Sequence, residues 1–142
     1  MATPIRITAG KITVAAELGD TVLAGNIARK LPIETTPNEW GDEFYFGIPV
    51  RSGLDETATS QLKVGDIGFW PPGNAMAIFF GPTPMSSGAD PVPASDVCLI
   101  GRITDDQPSC ARPRVPAISG SKRRNGAPYH LDLRLSIIRE AT

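Results

Sequence analysis

Residues Lys63 to Ser86, KVGDIGFWPPGNAMAIFFGPTPMS, restrict the fold more than any other part of the chain. This is the densest run of apolar, aromatic, glycine and proline residues in the sequence. Val64-Gly65-Asp66 reads as a turn that launches a strand over Ile67 to Trp70. Pro71-Pro72-Gly73 must end that strand, because proline has no N–H for a ladder and glycine reaches positive φ at little cost. Ala75 to Phe80 is a second apolar strand, and Gly81-Pro82-Thr83-Pro84 ends it. A strand, a rigid aromatic-proline corner and a returning strand make a stiff hairpin-like unit on which the remainder can pack.

The same punctuation recurs along the chain. Its 14 glycines and 14 prolines are spread without a period, so collagen-like and solenoid folds are excluded, and short strands joined by turns are indicated. With 142 residues the chain fits a single domain, residues 1–142, large enough to bury a core. A formal net charge of -1 gives no global attraction to nucleic acid or to an anionic membrane. No stretch reaches the ~18 apolar residues of a membrane-spanning helix, and no secretory apolar region follows Met1. A soluble cytoplasmic protein is therefore the expectation. The two cysteines, Cys98 and Cys110, make neither a disulfide framework nor a metal site, and no His-rich or Cys-rich spacing calls for a metal or cofactor.

Taken in order, Ile5, Ile7, Ile12 and Val14 alternate with polar or small residues around Ala9-Gly10, which predicts a hairpin. Asp20 and Thr21 offer caps for a helix whose Leu23, Ile27 and Leu31 form one apolar stripe. Arg29 and Lys30 suit its C-terminal end, and Pro32 stops it. After the loop Glu34 to Asp42, the stretch Glu43 to Val50 alternates cleanly. Phe44, Phe46, Ile48 and Val50 share one face, whereas Glu43, Tyr45, Gly47 and Pro49 share the other. Arg51 to Gln61 is polar, a loop or short helical piece. Val97 to Ile103 is a further strand, with Cys98 a small buried hydrophobe within it. Gln107 to Pro128 is a long proline-bearing insertion carrying Arg112, Arg114, Lys122, Arg123 and Arg124. Leu131, Leu133, Leu135 and Ile137 predict a C-terminal strand. About seven strands with one good helix cannot make a doubly wound sheet. A closed or nearly closed antiparallel barrel buries the apolar faces and removes the edges, with the helix plugging one end.

Four motifs carry a resemblance. WGDEFYF (Trp40 to Phe46), VGDIGFWPPG (Val64 to Gly73), AIFFGPTPMS (Ala77 to Ser86) and PASDV (Pro93 to Val97) are similar to the small bacterial and archaeal cyclophilin-like domain family. The similarity runs in order from about Ile5 to Ile103. It implies a mainly β, closed cyclophilin-like antiparallel barrel of about eight strands with one or two short helices capping its ends. The Gln107 to Pro128 insertion is longer than the family's usual connection.

The resemblance invites prolyl isomerisation, in which cyclophilins use an arginine in an apolar groove. The strand that corresponds here, Phe44-Tyr45-Phe46-Gly47-Ile48-Pro49, has no arginine, and the single histidine, His130, lies beside the insertion. Fold alone does not supply the activity. Related barrels occur in enzymes acting on cyclic or urea-like amides, so isomerase or small-amide hydrolase activity is the alternative reading. The leading one is a cleft for a small molecule or peptide lined by Tyr45, Glu43, Trp40, Trp70 and Phe79, an apolar wall with few polar groups. Against it stands ordinary packing of aromatics at period 2; Tyr45 is the best exception, since a phenol on the non-core face needs a partner. Glu39, Asp42 and Glu43 around Trp40-Gly41 offer acid-base chemistry if one carboxyl is desolvated, and read as solvated loop charges otherwise. The basic insertion lacks interleaved aromatics for stacking bases, which favours a mobile loop or a second copy of the chain, for instance its Asp55-Glu56 region, over nucleic acid.

Overall fold

A computed structural model describes residues 2–9, 12–104 and 134–140. Among these residues the chain forms ten strands and one α-helix. The strands are β1 (Thr3–Ala9), β2 (Ile12–Leu18), β3 (Ile33–Thr35), β4 (Asn38–Trp40), β5 (Glu43–Gly47), β6 (Ala58–Thr59), β7 (Asp66–Trp70), β8 (Ala75–Phe79), β9 (Val97–Ile103) and β10 (Leu135–Arg139); helix α1 (Val22–Arg29) follows β2. Nine strands run in the order β3-β10-β1-β2-β9-β7-β8-β5-β4, and β6 pairs with β9 beside that path. Every pairing is antiparallel.

The sheet curls around one apolar core, yet it is not the closed barrel expected from the sequence. Among the described residues no ladder joins β3 to β4, the two ends of the path. The reason is local. Thr36 and Pro37 are all that separate β3 from β4. The chain itself therefore bridges one end of the seam, and two three-residue strands flanking a proline offer too little backbone to pair along the rest of it. The strand number also exceeds the expected eight, because β3, β4 and β6 are two or three residues long and lie in stretches read as loop.

The alternation read from the sequence governs the core. Ile5 and Ile7 of β1, Val14, Ala16 and Leu18 of β2, and Leu135 and Ile137 of β10 face inward with Phe44, Phe46, Ile67, Phe69, Met76, Ile78, Cys98 and Ile100. Phe44 meets Phe80 edge to face, with ring centroids 5.7 Å apart. The Thr21 hydroxyl caps α1 by accepting from the Ala24 N–H at 3.1 Å. Leu23, Ala24, Ile27 and Ala28 bury the helix against the core; Leu31 lies beyond its last turn but packs there too. Arg139 of β10 donates to the Ala28 carbonyl at 3.0 Å, tying the helix end to the sheet.

The central hairpin forms as expected. Lys63 N–H donates to the Asp66 carboxylate at 2.8 Å and closes the launching turn. Pro71–Gly73 is one 3-10 turn, and Asn74 takes the left-handed conformation that returns the chain. The pairing of β7 with β9 contains a register shift between Ile67 and Gly68. Cys98 and Ile100 are buried on either side of the exposed Leu99, but the shift breaks this alternation further along β9, where Ile103, of opposite parity, packs against the same core. The basic insertion Gln107 to Pro128, Cys110, Tyr129, His130, Leu131 and Leu133 lie outside the described residues. No helix among the described residues is long and apolar enough to cross a membrane.

Candidate functional site

Strands β4, β5, β8 and β7 are neighbours, so the residues that point away from the core on each of them form one outer surface. Register fixes which residues meet. Trp40 lies opposite Glu43, Glu43 opposite Phe79, Tyr45 opposite Ala77, and Ala77 opposite Gly68. Leu62, Ala77, Phe79 and Val97 form a second apolar cluster on this surface, and Tyr45 and Trp70 pack against it.

The large side chains stand around a floor of small ones. An ideal Cβ on Gly68 would lie 2.8 Å from a methyl of Val97, so only glycine lets β9 come this close. Gly41 occupies the first loop position of the β4–β5 hairpin at φ 64, and a Cβ there would meet the Thr83 backbone at 2.8 Å. That glycine thus puts Trp40 across from Glu43 and admits the following loop alongside.

The result is a cavity of about 230 Å³ lined by Trp40, Glu43, Tyr45, Trp70, Phe79, Pro93, Ala94 and Val97. All five residues singled out from the sequence line it. The far wall, Pro93 and Ala94, belongs to the PASDV motif but was not singled out from the sequence as part of a cleft. It is held by hydrogen bonds that sequence spacing does not reveal. The buried Thr83 hydroxyl donates to the Val92 carbonyl at 2.5 Å, and the Ser86 hydroxyl donates to the Asp90 carbonyl at 2.7 Å. Ser86 also accepts from the Thr83 N–H at 2.9 Å. The Trp70 indole N–H donates to the Ser95 hydroxyl at 2.7 Å, which fixes the ring against the same loop. The signals available beforehand were the motifs GPTP and PASDV, without a spacing that pairs them.

Glu43 supplies the carboxyl of this lining. It is only 7% exposed, and among the described residues its Oε1 has no hydrogen-bond partner. Burial among apolar walls disfavours the charged form and pushes its pKa from 4.5 up to about 7. The solvated-charge reading of the Glu39-Asp42-Glu43 cluster is therefore overturned for Glu43. The cluster also divides: Glu39 pairs in register with the core-facing Phe44, and Asp42 sits in the hairpin turn, so neither joins Glu43 in the lining. A carboxyl that titrates near neutrality beside aromatic walls can accept or donate a proton, or hold a cation. Among the described residues no group of three or more His, Cys, Asp or Glu could hold a metal ion.

A family model described as cyclophilin-like matches residues 3–114. The chain belongs to the cyclophilin-like family. Among solved structures, the solution structure of a hypothetical protein from Archaeoglobus fulgidus matches with a TM-score of 0.69 at 29% identity, over 98% of this chain and 95% of that one. McbB in complex with tryptophan matches with a TM-score of 0.59 at 16% identity, over 97% of this chain and 46% of McbB. The chain thus spans about half of McbB, and that likeness is one of fold alone. No curated protein matches the sequence. Among the described residues of this cyclophilin-like chain no arginine lines the cavity.

Proposed function

We propose that this cyclophilin-like protein binds a small molecule, or one side chain of a peptide, in the cavity of Trp40, Glu43, Tyr45, Trp70 and Phe79, and that it is not an efficient prolyl isomerase. The observation that carries the reading is Glu43, which lines the aromatic cavity and whose buried Oε1 has no hydrogen-bond partner among the described residues. An unpaired buried carboxyl costs stability, and an apolar residue at the same position would avoid that cost. Its retention there is explained if a ligand completes it. The volume of about 230 Å³ lies below the roughly 300–1,000 Å³ of drug-sized clefts, so the occupant is one ring or one short chain. Among the described residues no arginine lines the cavity, so none there matches the group that cyclophilins set on the prolyl carbonyl.

A thermal-shift screen of the whole protein against X-Pro peptides, small amides, amines, carboxylic acids and sugars tests the reading. A ligand at about 100 times its Kd adds about 2.7 kcal/mol to the folded state, a shift of several degrees. The shift should disappear in Trp70→Ala. A panel in which no class moves the midpoint would remove the binding reading.

A second reading rests on the same carboxyl. With a pKa raised to about 7, Glu43 suits general acid-base catalysis, and small-amide hydrolysis is the reaction class to test. Turnover that collapses in Glu43→Gln would support it; full turnover in that variant would take Glu43 out of the mechanism.

A further inference from the structure

We infer that the occupant of this cavity is an organic monocation, an alkylammonium or quaternary ammonium group, held by the rings of Trp40, Tyr45, Trp70 and Phe79 with Glu43 as its counter-ion. This inference rests on the binding reading above and names the chemistry of the ligand. Four aromatic side chains and one carboxyl surround the cavity, and among the described residues no cationic side chain lines it. Each feature alone suits several ligands; together they suit one class. The faces of indole, phenol and phenyl rings carry negative potential and attract cations, most strongly where water is excluded. An anion would meet the Glu43 carboxylate with no opposing charge. A neutral apolar group would fill the space and leave Oε1 unpaired, at the desolvation cost already described. A cation satisfies the carboxylate and the rings at once.

Rigidity supports the same class. Trp70 has its N–H committed to Ser95, and Pro93 is held through the Thr83 hydroxyl on Val92. The walls are thus positioned before a ligand arrives, which reduces the ordering cost of binding.

Linkage gives the inference a signature. Glu43 is flanked by β4 and β8. β8 carries no ionisable residue, and the Glu39 side chain of β4 alternates to the other face of its strand. Tyr45 is the remaining titratable group of the lining; Asp42 in the hairpin turn and the exposed Asp96 beyond Ala94 are not part of it. A cation needs the ionised carboxylate. Below the Glu43 pKa of about 7, affinity for a permanently charged ligand therefore falls about tenfold per pH unit, and above it the affinity is flat. A ligand that instead accepts a hydrogen bond from the protonated acid shows the opposite slope.

The chain has two tryptophans, Trp40 and Trp70, and both line the cavity, so selectively excited tryptophan fluorescence reports on this site. The test is a fluorescence titration of the full chain with choline and with its neutral carbon isostere, in which a tert-butyl group replaces trimethylammonium. Two further arms, a trimethyl-lysine peptide and a lysine peptide, separate a free amine from a side chain as the source. Above neutral pH, choline or one of the peptides should bind at least tenfold more tightly than the isostere. That preference should shrink as pH falls to about 5, and it should shrink as far in Glu43→Gln, where only the rings still favour the cation. An isostere that binds as well as the cations, an affinity that falls as pH rises, or an unchanged preference in Glu43→Gln would each overturn the cation and leave the cavity reading standing. No response to any of the four probes overturns the cation as well, and the wider thermal-shift panel then decides the cavity reading by itself. The wild-type pH profile carries the test should Glu43→Gln fail to fold.

Discussion

Strands β5, β7 and β8 present two surfaces one residue step apart, and they are built on opposite plans. On the inner surface Phe44, Phe46, Ile67, Phe69, Met76 and Ile78 are all 1% exposed or less and interlock without a polar atom among them. On the outer surface Glu43, Tyr45, Trp70 and Phe79 stand apart over Gly68 and Ala77, around open volume and a carboxyl oxygen with no partner among the described residues. Close packing gains dispersion and avoids voids, so the inner surface supplies stability. The outer surface forgoes both in one place while keeping its rings fixed. Residues of similar size and hydrophobicity thus do different work according to whether the gaps between them are filled.

The comparison is broken most severely from the inner side. Phe46→Ala removes a fully buried ring from the interlocked face and should cost about 3–5 kcal/mol, measured by denaturant unfolding. Should Phe46→Ala prove nearly neutral, the inner face would be no better packed than the outer one, and the contrast would lose its basis.

Glu43 sharpens the contrast through pH. Burial raises its folded-state pKa to about 7 against 4.5, so the folded chain holds this proton more tightly than the unfolded chain does. The stability that follows is complete below pH 4.5, is lost as pH rises towards about 7, and is constant above that. The loss is on the order of 3 kcal/mol at one pKa unit per 1.36 kcal/mol. Glu43→Gln removes the titration. The wild type should therefore weaken relative to the variant between those pH values, and matching pH profiles of the two would argue that Glu43 is hydrated. A cation in the cavity reverses the wild-type trend, because it stabilises the ionised form.

A smaller effect is expected where the outer surface is fastened. Thr83→Val keeps the shape of the side chain but leaves the Val92 carbonyl without its donor, at a cost of about 1–3 kcal/mol. Hydrogen exchange should show the loosening in the loop from Thr83 to Ser95 and leave β5 and β8 protected. Uniform loss of protection across the sheet would mean that the loop and the sheet are one cooperative unit.

The two surfaces were also unequally legible in the sequence. Period 2 separated Phe44 and Phe46 from Glu43 and Tyr45, because one face of a curled sheet must be apolar whatever the partners are. The two hairpins, β4–β5 and β7–β8, were local enough to bring Trp40 towards Glu43, and Trp70 onto the same surface. What stayed hidden depends on distant partners. Glu43 beside Trp40-Gly41-Asp42 has the composition of a solvated turn; it is buried because β8 and the Pro93-Ala94 segment lie against it. Thr83 and Val92 are nine residues apart in a segment without periodicity, so nothing local pairs them. The open seam was missed for a related reason. Closure was inferred from the need to cover edges, whereas this chain covers one end with the two-residue link between β3 and β4.

Trp70→Phe has the smallest expected effect on stability and bears most directly on why the outer surface is hollow. Phenylalanine retains an aromatic wall and removes the one hydrogen bond from the indole to Ser95, worth about 0.5–1.5 kcal/mol. If the cavity is a consequence of incomplete packing, the smaller ring leaves stability nearly unchanged, and ligand affinity changes no more than that. If the cavity is a preorganised site, the loss falls on binding. The ring and the Ser95 segment must then be ordered when the ligand arrives, and the affinity drops by more than the unfolding free energy does. Unfolding curves and fluorescence titrations on the same variant, with Trp40 as the remaining reporter, therefore distinguish a gap in packing from a built site.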